Sequence, residues 1–185
     1  MKSDRIAVWD IPTRMFHWSF AGSFIVAYLT AESERWRDVH VIAGYALAGL
    51  LVFRLLWGFI GNRYSRFSDF WPSIAKLKSY LGSLFTRRPQ HFVGHNPAGA
   101  VAIFALLALG TVTAASGWIS YLEMGSVRLA HWMEEIHEGA ANAMLAVVGI
   151  HLAGVVVSSW LHRENLARAM VNGWKPRLPR PAAVE

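Results

Sequence analysis

A chain of 185 residues that is 54% hydrophobic and 16% charged, with nine Trp and a net charge of +6, excludes a disordered or highly solvated protein and fits a single membrane-embedded domain. It has no cysteine, which excludes disulfides, thiolate metal sites, Cys-ligated iron–sulfur clusters and the C-x-x-C-H attachment of c-type haem. The surplus of cations does not argue for nucleic acid, because Lys and Arg are unequally shared between the loops of membrane proteins.

Crossing a hydrocarbon core of about 30 Å takes roughly 20 apolar residues in a helix. Four segments qualify, at 13–30, 39–60, 97–121 and 136–161. The expected fold is therefore all-α, a four-helix transmembrane bundle running up-down-up-down, with residues 1–185 as one domain. The first segment begins with Arg14 and His17 and is not followed by a small-residue cleavage site, so it reads as a retained anchor and not a signal peptide. Between the second and third segments, Phe70, Trp71, Ile74, Leu77, Leu81 and Leu84 recur at helical spacing opposite Lys76, Lys78 and Ser79. That pattern predicts an additional amphipathic helix lying on the membrane surface.

Charge sets the orientation. Lys2, Arg5 and Arg14 precede the first segment; Arg63, Arg66, Lys76, Lys78, Arg87 and Arg88 lie in the middle loop; Arg163, Arg168, Lys175, Arg177 and Arg180 follow the last segment. With Arg54, near the inner end of the second segment and read as snorkelling to the surface, fifteen of the eighteen cations fall on one side. Arg35, Arg37 and Arg128 fall on the other. Both termini are expected to face the cytoplasm. The opposite face gathers Glu32, Glu34, Asp38, Glu123, Glu134, Glu135 and Glu138, seven of the twelve acids, a rim able to steer a basic partner.

Four histidines, His17, His40, His137 and His151, lie in or at the ends of the apolar segments, where a polar ring is costly unless bonded. His137 and His151 are fourteen residues apart, about 21 Å along a helix axis and close to the same face. Two cofactors at two depths are implied. Topology pairs His17 with His151 on the cytoplasmic side and His40 with His137 on the outer side, a pattern suited to two non-covalent haems. Each ligand is followed one turn later by a small residue, namely Ala21, Gly44, Ala141 and Gly154, as a flat macrocycle requires. Arg14 and Arg37 each precede a ligand by three residues, where a guanidinium can meet a haem propionate. His91, His95, His131 and His162 read as interfacial. Competing readings are a membrane transporter or metal-handling or proton-handling protein using the same histidines, and an inert anchor subunit.

The stretches VWDIPTRMFHW, DVHVIAGYALAGLLVFRLLWG, GHNPAGA and IHEGAANAMLAVVGIHLAGVVVSSWLHRENLARAM resemble the prokaryotic cytochrome b561 group, which includes the cytochrome b subunits of nickel–iron hydrogenases. The resemblance covers 8–61 and 94–173. It implies two bis-histidine b haems with ligands at His17, His40, His137 and His151. It also implies electron transfer between the quinone pool and an outer-face partner, in the bacterial inner membrane. That partner could be a periplasmic c-type cytochrome, a dehydrogenase, a hydrogenase or a small reductant; self-association is compatible with the sequence. Whether the chain acts as an enzyme in its own right is left open. His95, Asn96 and Trp9 are the expected quinone-headgroup contacts.

Overall fold

The computed structural model describes residues 5–86 and 89–177. Lys2, Arg87, Arg88 and Arg180 of the charge tally lie outside the described residues. Four long helices form the body: α1 (Ile11–Thr30), α2 (Arg37–Ile60), α4 (Pro97–Tyr121) and α5 (Val127–His162), with the shorter α3 (Ile74–Leu84) and α6 (Leu166–Asn172) at the end that carries the termini. Local chemistry explains where they start. Asp10 Oδ1 accepts the Thr13 N–H at 2.8 Å, Asn96 Oδ1 accepts the Gly99 N–H at 2.7 Å, and Ser126 Oγ accepts the Leu129 N–H at 3.2 Å, each satisfying an otherwise unpaired donor of a first turn. Pro12 and Pro97 stand in the opening turns of α1 and α4, where the missing N–H costs nothing.

Residues 34–60, 97–121 and 127–162 are long and apolar enough to cross a membrane. Helix α1 has the length but is interrupted by Arg14, His17, Ser19 and Ser23, and it is not among these three. The last helix begins nine residues before the expected 136. Its 36 residues span about 54 Å, so its first turns, with Arg128, His131, Glu134 and Glu135, continue past the apolar stretch. His131 is therefore helical and not a loop residue, because hydropathy marks the membrane and not the end of the hydrogen-bond ladder.

Packing is uneven. Helix α1 runs along α2, α4 runs along α5, and α2 meets α4; α5 makes no comparable backbone approach to α1 or α2. Side chains bridge that separation in one buried cluster, Phe24, Ala27, Ala43, Leu47 and Met144, while Leu51, Phe67, Phe70, Ala100 and Leu107 form a second one between α2, α4 and the segment after α2. The Tyr28 hydroxyl donates to Asn142 Oδ1 at 2.9 Å.

Of the segment expected to be amphipathic, Ile74–Leu84 is helical (α3), whereas Phe70 and Trp71 precede the helix. It docks through Tyr80, 2% exposed, whose hydroxyl lies 3.3 Å from Ser158 Oγ, while Ile74 and Leu81 stay exposed. One feature has no counterpart in the hydropathy pattern. Strands β1 (Arg5–Ala7) and β2 (Trp174–Pro176) pair antiparallel, Ile6 opposite Lys175, joining the two ends of the chain. Gly173 makes the junction: its φ of +87° and the 2.7 Å that a Cβ would leave to the Trp9 carbonyl oxygen admit only glycine. Its own carbonyl accepts the N–H groups of Val8 and Trp9.

Candidate functional site

His40, at the start of α2, and His137, in α5, face each other with ring centres 5.9 Å apart and planes at 74°. Each ring is anchored from behind by a backbone carbonyl of a neighbouring helix. His40 Nδ1 lies 2.8 Å from Ala27 O of α1, and His137 Nδ1 lies 2.8 Å from Thr113 O of α4. A carbonyl can only accept, so both Nδ1 atoms are the donors. In the neutral ring this tautomer leaves the lone pair on Nε2, the form a metal-ligating imidazole takes. Two imidazoles on opposite faces of one metal ion, each bonded at about 2 Å, have ring centres roughly 6 Å apart. Two such imidazoles would hold a metal whose remaining ligands come from a bound group such as a macrocycle.

His17 of α1 and His151 of α5 form the second level, half-buried and near enough to interact electrostatically. His17 Nδ1 is buried without a hydrogen-bond partner, unlike the two anchored rings of the first level. The Cβ positions of Gly44 and Gly154 would each meet nothing within 4 Å, so the faces one turn beyond His40 and His151 are open. Between the levels sits Met144, seven residues from His137 and from His151, and 2% exposed.

The arginines divide. Arg14 donates from Nη1 to Val171 O, and its Nε is buried without a partner. It borders an open cavity of about 370 Å³ with Ile11, Met15, Trp18, Ser19 and Val171. Arg37 is exposed at the first turn of α2. Arg54 does not snorkel. It is 3% exposed and lies over Phe67 at 4.7 Å and Phe70 at 5.9 Å, because the chain after α2 folds these rings back onto it.

His91 and His95 are half-buried and held by other side chains. His91 Nε2 pairs with Glu164 Oε1 at 2.7 Å, and Lys175 Nζ approaches Oε2 of the same carboxylate at 3.9 Å. His95 is packed against Trp9 at 4.6 Å and Phe70 at 4.1 Å, so the structure brings two of the three expected quinone contacts together. The third, Asn96, is used by its α4 cap and by an Nδ2–H donated to Ser158 Oγ at 3.5 Å.

Burial pushes the His95 imidazole down to about 3 from the ordinary 6.5, and Arg54, Lys175 and His151 add to the shift. The unfolded chain takes up a proton below about 6.5 that the folded chain refuses, so this residue makes stability fall as pH drops from 6.5 toward 3. His95→Phe is expected to flatten that part of the curve in thermal unfolding at pH 7 and pH 5. An unchanged slope refutes the assignment.

Thr113, Ala27 and Met144 are not distinguished by the sequence. The first two act through backbone carbonyls, which no residue-type pattern records. The third is an ordinary Met until its place midway between two histidines is known.

A family profile described as prokaryotic cytochrome b561 matches residues 8–173. A probable Ni/Fe-hydrogenase B-type cytochrome subunit of Azotobacter vinelandii is 24% identical, over 94% of this chain and 90% of the relative. The corresponding protein of Rhizobium leguminosarum bv. viciae is 26% identical over 91% and 87%. A probable Ni/Fe-hydrogenase 1 B-type cytochrome subunit of Escherichia coli (strain K12) is 27% identical over 66% and 64%. No solved structure matches.

Proposed function

The chain belongs to the prokaryotic cytochrome b561 family, and from that premise we propose that it holds two non-covalent b haems and carries electrons between a quinone pool and a redox partner at the opposite membrane face. The observation that carries this reading is the His40–His137 pair, with 5.9 Å between ring centres and both Nδ1 atoms held by carbonyls. His17 and His151 would hold the second haem. When bound, the haems would supply one-electron chemistry. The protein's own part is to fix the imidazoles, exclude water and set the surrounding charge.

In this reading all four long helices cross the inner membrane, α1 included, with both termini cytoplasmic and α3 lying on the inner surface through Ile74 and Leu81. Arg14 would meet a propionate of the inner haem and Arg37 one of the outer haem. His95, Asn96 and Trp9 would receive the quinone headgroup. Trp9 is buried and Asn96 is engaged, so their side chains must move first. The open cavity beside Arg14 already combines a cation with the apolar walls of Ile11, Met15 and Trp18.

The names of the relatives make a hydrogenase the first partner to try. The similarity to the Azotobacter vinelandii subunit runs over 94% of this chain and 90% of that protein. A periplasmic c-type cytochrome, a dehydrogenase or a small reductant would meet the same acidic rim.

The test is a reduced-minus-oxidised visible spectrum of the purified protein with extracted haem counted per chain. Two low-spin b-type haems are expected; a folded preparation without haem overturns the proposal.

A further inference from the structure

We infer that Gly117 is a positioning residue for His137: the missing side chain at this place in α4 lets the imidazole of α5 reach the Thr113 carbonyl and so sets the ring's tautomer and direction. The inference rests on His137 as a haem ligand, and it adds a residue that no ligand pattern contains.

The geometry is specific. A Cβ built on Gly117 would lie 2.6 Å from His137 Nδ1 and 2.7 Å from Cε1, well inside carbon–nitrogen and carbon–carbon contact. What it would strike is not the loose end of a flexible chain. It is the edge of a ring whose Nδ1–H is donated to Thr113 O at 2.8 Å, one helical turn earlier on α4. Any side chain at 117 must push the ring off that carbonyl, and Nε2, on the other side of the same rigid ring, swings with it. The ring then no longer faces His40 at 5.9 Å.

Helix chemistry runs the other way. Glycine inside a helix is about 1 kcal/mol worse than alanine, and Gly117 lies four residues before the end of α4. Its positive contribution has to come from the close approach. The opposite ring needs no such allowance, since His40 reaches Ala27 O close to the end of α1, where the carbonyls have fewer helical partners. Removing the partner that orients a ligating imidazole weakens metal binding about 10–100-fold, and Gly117→Ala is expected to do the same at the outer site only.

The experiment compares the full-length protein, Gly117→Ala, Gly117→Ser and the control Gly82→Ala, whose Cβ meets nothing within 4 Å. Each is purified in detergent and titrated with haem. Side-chain ¹⁵N shifts of His137 are recorded in the haem-free state, and the ferric low-spin EPR signals and midpoint potentials in the loaded state. The expected result is that both Gly117 variants lose at least about tenfold in affinity at one of two sites, with an altered EPR signal and potential for that haem alone, and that the Nδ1–H signature of His137 disappears. Gly82→Ala changes none of these. If Gly117→Ala binds two haems with wild-type affinity, EPR signal and potentials, the inference is overturned while the cytochrome reading stands. If the wild type binds no haem, both fall together.

Discussion

Replacing His137 by leucine will halve the haem content of the purified protein and leave the remaining haem with its own midpoint potential. Leucine fills a comparable volume, offers no lone pair, and abandons both the Thr113 carbonyl and the space shared with His40. His40→Leu is expected to give the same product, because the same site would lose one of the two imidazoles that would hold its haem. His17→Leu and His151→Leu should each delete the other haem. The retained cofactor serves as an internal check that the bundle has assembled. Full haem content with an unchanged redox titration in His137→Leu would show that the pairing by depth is wrong.

The second large effect is on stability. Met144 is 2% exposed and packs with Phe24, Ala27, Ala43 and Leu47, so it ties α5 to α1 and α2 where the backbones stay apart. Truncating such a residue leaves a hole that the neighbours fill only in part, and Met144→Ala is expected to cost about 2–5 kcal/mol. Met144→Leu conserves volume and should cost under about 1.5 kcal/mol. Reversible unfolding of the two variants in detergent checks the pair. A loss below about 0.5 kcal/mol for alanine, the size of an ordinary surface change, would mean that the interior collapses around the gap.

Much of this was legible in the residues. The helix α4 was read as 97–121 and observed as Pro97–Tyr121, because Asn-Pro starts it and polar residues end it. The separation of His137 from His151 followed from spacing, since a rise of 1.5 Å per residue is indifferent to neighbours, and the up-down order of the helices supplied their partners. What stayed hidden was non-local. Arg54 was expected at the surface because its helix position is near an end; its burial depends on Phe67 and Phe70 folding back from the next loop. His91 and His95 looked interfacial because loop residues usually are, yet Glu164, Trp9 and Phe70 converge on them from distant parts of the chain. The strands β1 and β2 are three residues each, too short for any periodicity. The long first turns of α5 were missed because charged residues can continue a helix beyond the apolar stretch.

The pairing of β1 with β2 bears on how the molecule is made. The ribosome delivers α1 well before residues 166–176, yet α1 and the residues that lead into it are fastened by that later piece: Trp18 Nε1–H to Met170 O at 3.3 Å, Arg14 to Val171 O, and the N–H groups of Val8 and Trp9 to Gly173 O. Before residues 166–176 are in place α1 lacks these hydrogen bonds and is held toward α5 by Tyr28–Asn142 and the cluster around Met144, so the space between the two helices at the His17–His151 level can admit bulky cargo from the side. Docking of this segment then acts as a late, closing step of assembly. A truncation before Leu166 should yield a protein that inserts and fills but releases its cargo quickly, a defect of retention and not of loading.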